Sequence, residues 1–518
     1  MMDRRSFLVR VPACWAALAS GRAVGRAARA DLILTNGRVY TPRSRWAQAV
    51  AVTEGVISYV GSNSGAHAKR GPGTREIDLG GRLLLPAFID PHNHVYRHGS
   101  DLFWVTLGSQ LSPHTLESYR QSILAYRSRN PDLTQVRGIG YDPWILPAIG
   151  QSRKRQPREL LDDIVSDVPA VFVSWTGHQA WANSMAIELA GVTRNTLDPR
   201  GAQIERDPAT GEPNGLFHEF AAHNLIIDKL PERDLTVEQH RTTVLSWQQD
   251  LARQRGVTGA LVPMHYTSPN FFTAMQQLSD AGLLTARFNV AQWADDQRGV
   301  EHVPELVASC DRFPGGRYFK LNSIKIYAPW PQDPLNRTIA ALDKLGFRVF
   351  VHNVGPTDSY AAVLDAFEYA LRQNGSRDSR HIITHVRAEA MPLAMRFKSL
   401  GVRADSDWHP APKSFYDAGV PATLSSDYPV RDMSPLVKIG EGAKGGLPLE
   451  ALIDSATRRG AEALFAENET GSIEVGKAAD LVVLDQDLFE IAPDDIPAAK
   501  PLLTLFAGKE IYRDPSLR

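Results

Sequence analysis

The chain has 518 residues, a formal net charge of -1, and 43% hydrophobic and 22% charged content. This suits a folded protein with room for a barrel and a smaller domain, and it supplies no basic surplus for nucleic acid. Beyond the first thirty residues nothing approaches the ~20 continuous apolar residues that span a bilayer, and Cys310 is the only cysteine besides Cys14, so no disulfide framework can form within a mature chain.

At the N-terminus, Arg4-Arg5-Ser6-Phe7-Leu8, a weakly apolar stretch over 11–20 and Ala28-Arg29-Ala30 before Asp31 read as a twin-arginine export signal with an A-x-A cleavage site. The expected location is periplasmic or secreted. The competing reading, a disordered basic arm, would leave the protein in the cytoplasm. Residues 32–40 and 49–60 read as hairpins turning on Asn36-Gly37 and Glu54-Gly55, and 78–85 leads onward. The same alternation recurs over 471–485 and 502–513, around Gly476-Lys477 and Gly508-Lys509. Residues 31–85 and 471–518 are therefore expected to form one small β-sandwich.

Between these ends, residues 86–470 carry short apolar, β-branched runs. Counting from residue 84, eight strands are placed at 84–90, 257–263, 286–292, 323–327, 348–352, 381–385, 402–407 and 421–427. Most later gaps can hold a helix, which predicts an α/β fold of the (β/α)8 TIM-barrel type. The first gap is the size of a small domain and has strand-like segments at 136–141 and 170–175, so an insertion is expected at about 100–250.

Polar residues close several of these runs. Pro86-Ala87-Phe88-Ile89-Asp90-Pro91 ends in His92-Asn93-His94, and two imidazoles at i and i+2 of an extended segment face the same way, as a shared metal requires. Lys325 lies within its strand, while His352, His385 and Asp427 end theirs. Residues at the C-terminal ends of barrel strands meet at one rim. A lone His-x-His pair is commonly structural, a strand lysine commonly reaches solvent, and an aspartate before Tyr428-Pro429 commonly caps a turn.

On these segments, with Asn36-Gly37-Arg38-Val39-Tyr40, Gly177-His178-Gln179-Ala180-Trp181-Ala182-Asn183-Ser184 and the 471–484 segment, the chain resembles the amidohydrolase superfamily, in particular its amidohydrolase-3 branch of N-substituted formamide deformylase-like hydrolases. The resemblance implies two divalent metal ions, zinc first among candidates. His92, His94 and Asp427 would hold one and His352 and His385 the other, with Lys325 bridging as a carbamate. It implies a metal-dependent hydrolase that cleaves a C–N bond, other than a peptide bond, of an amide-like small molecule by attack of a metal-bridging hydroxide, with Asp427 as general base and acid. His178 would contact the substrate carbonyl, and Trp144, Trp175 and Trp181 would line an apolar pocket. Plain core is the commoner use of such tryptophans, and His265 has no assigned role.

His218-Glu219-Phe220-Ala221-Ala222-His223 is not a zincin motif, because its histidines are five apart and leave one helix face. Thr384 stands where the family commonly has glutamate, Ala328-Pro329 where Asp-Gly is usual, and Pro356 and Thr176 where aspartates are usual. These departures bear on substrate. A mononuclear deaminase, an esterase, lactonase or carbamate hydrolase, and a non-catalytic binding protein on the same fold are the competing readings, and homo-oligomer formation is left open.

Overall fold

A computed structural model describes residues 29–42, 45–108, 112–232 and 234–517, so the expected export signal up to Ala28 lies outside the described residues. The chain divides into two compact units. One holds the residues up to Asn93 with Leu245–Thr267 and Met275–Arg518; the other holds His94–Val244 with Ser268–Ala274.

The first unit contains eight strands in one parallel sheet: β1 (Phe88–Asp90), β2 (Val257–Pro263), β3 (Arg287–Trp293), β4 (Phe319–Tyr327), β5 (Arg348–His352), β6 (Ile382–Thr384), β7 (Arg403–Ser406) and β8 (Ala422–Leu424). They lie side by side in chain order. Their Val, Ile and Leu runs are buried on both faces, as parallel strands covered by helices require. The sheet closes beyond its first and last strands, where the Asp427 N–H donates to the His92 carbonyl at 2.8 Å and Asn93 bridges Tyr428 in parallel. Helices Gln332–Lys344 and Thr357–Asn374 follow β4 and β5, burying Leu335, Ile339 and Leu342 in one and Tyr360, Val363, Leu364 and Phe367 in the other. These residues fall on one stripe of a 3.6-residue period.

The expected first strand is split. Leu83–Pro86 belongs to a different sheet, and only Phe88–Asp90 joins the barrel. Segments from both chain ends build two sheets, one of four strands and one of six, within the same compact unit as the barrel. They share an apolar cluster that includes Leu34, Val50, Leu84, Leu481 and Leu503. The Glu54-Gly55 hairpin forms, with φ of 51° and 77°, the two positive values that a type I′ turn needs. The Asn36-Gly37 hairpin does not: only Asn36 has positive φ, and Leu32–Thr35 and Arg38–Thr41 pass into different sheets. Residues 471–485 likewise form no hairpin, contributing the single strand Leu481–Leu484, whereas Pro501–Phe506 and Lys509–Arg513 pair around Ala507-Gly508.

The second unit is built on a six-stranded sheet that includes Val136–Tyr141, Ala170–Ser174 and Gln179–Ala182. Among the described residues no helix is long and apolar enough to cross a membrane.

A polar clamp fixes the entry ends of β5 and β6. His381 accepts the Val349 N–H on Nδ1 at 3.0 Å and meets Asp343 through Nε2 at 3.1 Å, while Arg377 Nε and Asn374 Nδ2 donate to Asp343 at 2.7 and 2.8 Å. Burial pushes the Asp343 carboxyl up, but the His381 and Asn374 hydrogen bonds and the nearby positive charge outweigh it and hold the pKa at about 2. An unfolded aspartate titrates near ~3.9. The stabilisation is therefore complete above about pH 4 and is lost as the pH falls towards about 2. Asp343→Asn should cost about 3 kcal/mol in urea unfolding at pH 7, with the gap from wild type narrowing at pH 3. An equal gap at both pH values would contradict the clamp.

Candidate metal centre

The residues that could hold a metal stand where barrel strands end. Ligand atoms of His92, His385 and Asp427, all buried, lie within 4.8 Å of one another. His92 Nε2 is 3.1 Å from Asp427 Oδ1. His385 and Asp427 each follow a strand and adopt φ of 60° and 53°. The left-handed region is uncommon for residues other than glycine, and such strain persists only where its surroundings impose it. The His352 ring centroid lies 4.4 Å from that of His385.

Buried carboxylates and a hydroxyl orient these imidazoles. Thr384 Oγ1 donates to Asp405 Oδ2 at 2.7 Å, so its lone pair receives the His92 Nδ1 proton at 2.8 Å, leaving the Nε2 lone pair for a ligand role. His385 Nδ1 donates to Asp407 Oδ1 at 2.7 Å, with the same result. Partners of this kind fix the tautomer and raise the basicity of ligating histidines. Asp405 also accepts from the Thr423 and Ser425 hydroxyls at 2.7 and 2.9 Å. Burial lifts its carboxyl to about 6, against the lowering by the Thr423 and Thr384 hydroxyls. Burial alone would push the His385 imidazole down, but Asp407 holds it above its ordinary value. Asp405 thus backs His92 from across the sheet, through the Thr384 hydroxyl.

Lys325, midway along the rim between β3 and β5, is fully buried, and its Nζ has no hydrogen-bond partner among the described residues. The amine sits 4.5 Å from the Phe350 ring centroid and 4.7 Å from that of Tyr327. Burial brings its pKa down to about 7, opposed by Asp427, Asp405 and Asp407. A buried cation without a partner is costly. A cluster of two imidazoles and a carboxylate, with a third imidazole and this amine beside it, is a donor set that suits borderline divalent ions such as zinc.

His94 is not one of the three converging residues. The strand stops at Asp90 and His94 adopts φ −86°, ψ 63°, so the same-face rule for i and i+2 of a strand does not apply. Its ring packs 5.8 Å from Tyr96. His178 belongs to the second unit, where its Nδ1 meets Glu219 Oε2 at 2.9 Å. Trp181, expected to line an apolar pocket, is 0% exposed, packed with Tyr119, Tyr141 and Phe172, and its indole N–H donates to the Pro157 carbonyl at 2.7 Å. Trp144 is 67% exposed and lies 5.6 Å from Trp175, ring to ring. The His265 ring is 5.4 Å from Tyr327. His218, at the end of the strand Pro213–His218, pairs with Glu205, whereas His223 is buried in the helix Phe220–Ile227, which keeps them off a shared helix face.

Sequence reasoning missed Asp405 and Asp407. Their signal was present: Asp405 within β7 and Asp407 just past its end stand at i and i+2 of a barrel segment, and carboxylates buried there need partners.

The model of the Amidohydrolase family matches residues 75–512. The chain is 25% identical to N-substituted formamide deformylase of Arthrobacter pascens over 92% of its own length and 97% of the relative's. It is 25% identical to Protein LONG AFTER FAR-RED 3 of Arabidopsis thaliana, covering 93% and 92%. A solved structure of a metal-dependent hydrolase from Pyrococcus furiosus aligns with a TM-score of 0.64 at 22% identity, over 88% of this chain and 99% of that one. That likeness bears on the fold.

Proposed function

The chain belongs to the amidohydrolase family, and from that premise we propose that it hydrolyses a C–N bond of an amide-like small molecule at a centre for two divalent ions. The observation that carries this reading is the convergence of His92, His385 and Asp427 beside the buried Lys325 amine, which has no hydrogen-bond partner among the described residues. In this reading His92, Asp427, His352 and His385 would hold the ions, with Lys325, as a carbamate, supplying a further ligand. The resemblance adds His94 to these. Such ions, zinc foremost, would polarise the substrate carbonyl and bring the pKa of a bound water from 15.7 towards ~7.

The chain's own residues supply the rest. A lysine amine titrating near neutrality is uncharged in a large share of molecules, so its nitrogen can attack carbon dioxide, forming a C–N bond and releasing a proton. The product is an anion, which removes the buried ammonium charge from the barrel. As water attacks the substrate carbonyl carbon, the Asp427 carboxylate takes its proton, then delivers it to the nitrogen as the C–N bond breaks, releasing a carboxylic acid and an amine. Asp407 and the Thr384–Asp405 pair hold His385 and His92 in place throughout.

Amine release from a panel of aromatic and aliphatic amides tests the proposal. Chelation should abolish turnover, and zinc with bicarbonate should restore it several-fold faster than zinc in bicarbonate-free buffer. Hydrolysis confined to esters or lactones would contradict C–N cleavage, and recovery indifferent to bicarbonate would contradict the carbamate.

A further inference from the structure

Beside the converging ligands, the loops after β6 and β7 carry a second cluster. Arg387, exposed, stands two residues past His385; Trp408, half-buried, directly follows Asp407. The guanidinium carbons of Arg431 and Arg387 lie 4.9 and 5.8 Å from the Trp408 ring centroid. Arg431 Nη1 and the buried Lys438 Nζ donate to the Trp408 carbonyl oxygen at 3.3 and 3.4 Å. Glu441 answers both of these cations, at 3.5 and 3.6 Å. Among the described residues no carboxylate is within ion-pair distance of Arg387.

Two guanidiniums thus share one indole and a third cation, Lys438, holds its carbonyl, while Glu441 and Asp407 are the carboxylates that face them. A solvated surface arginine has no reason to share a ring with a second guanidinium, because each cation–π contact is worth only ~0.5–1 kcal/mol when exposed and like charges oppose it. The surplus is positive, it is carried by planar forks suited to a carboxylate, and it adjoins an apolar ring face. It also stands at the barrel rim next to the residue that holds His385.

We propose that the substrate carries a carboxylate bound by Arg387 and Arg431 at the Trp408 face, so that the enzyme selects amides of the N-acyl amino acid type over neutral isosteres. This rests on the hydrolase reading above and narrows its substrate class. The test is equilibrium binding of N-benzoylglycine and N-benzoylglycinamide by calorimetry, with turnover of both followed in parallel. The carboxylate should bind about tenfold more tightly than the amide, and added salt should erode the difference. Arg387→Gln should bring the ratio close to one and Arg387→Lys should keep part of it. Since Arg387 is exposed, these variants test the charge even if Arg431→Gln fails to fold.

Chelator-treated protein should keep the preference, which separates guanidinium binding from direct binding to an ion. Equal affinities, no binding of N-benzoylglycine, or a preference that survives Arg387→Gln would overturn the proposal. Preference without turnover of any amide would leave the carboxylate site standing and remove the C–N hydrolase reading. Turnover without preference would do the reverse.

Discussion

Lys325→Met is expected to make the ion-free protein more stable and the loaded protein inactive. In the absence of ions the wild-type amine is buried beside Phe350 and Tyr327, and among the described residues it has no hydrogen-bond partner. Methionine of similar length fills that space without a charge, so the variant should gain about 1–3 kcal/mol in chelator. The pH dependence follows from the same group. Its folded pKa is about 7 and its unfolded value about 10.4, so between these limits the unfolded chain binds more protons than the folded one. The penalty is complete below about pH 7, and wild-type stability recovers as the pH rises towards about 10. Lys325→Met should lack that rise. Urea unfolding in chelator at pH 7 and pH 9 measures both effects, and a variant less stable than wild type at pH 7, or one sharing its slope, would contradict this account of Lys325. With ions supplied, loss of the proposed carbamate ligand should cost roughly 10³-fold in turnover, the equivalent of several kcal/mol of transition-state stabilisation.

Asp427→Asn is expected to lower amide turnover by about 10²–10⁴, the span that a positioned general base and acid contributes. Asparagine matches aspartate in shape and tolerates the left-handed conformation that Asp427 adopts at φ 53°. The backbone bond from Asp427 N–H to the His92 carbonyl, which helps to close the barrel, is untouched. Thermal unfolding should therefore stay near wild type while the pH–rate profile loses its acid limb. Turnover within tenfold of wild type would remove Asp427 from proton transfer.

The barrel was legible because parallel strands buried on both faces must be written as apolar, β-branched runs, and each such run from Val257 onwards became a strand within a few residues of its expected bounds. His352, His385 and Asp427 were legible because polar residues closing those runs have no other place than the rim. Geometry that depends on individual backbone angles was not. His92 and His94 were expected on a strand that in fact stops at Asp90, and the Asn36-Gly37 turn sends its flanking strands into different sheets because Gly37 lacks positive φ. Trp181 illustrates a further limit: nothing in local spacing distinguishes an aromatic residue facing a ligand from one facing Tyr119 and Phe172 across a core. The supporting role of Asp405 depends on register between β6 and β7, which places it beside Thr384. No segment read by itself contains that pairing.

The central claim is that Lys325 joins the barrel-rim histidines and Asp427 in one two-ion centre. Elemental analysis of purified protein, wild type beside Lys325→Met, tests it most directly. The account predicts about two divalent ions per wild-type chain and a clear fall in the variant. A single ion unaffected by the substitution, or none retained after reconstitution with zinc and bicarbonate, would contradict it.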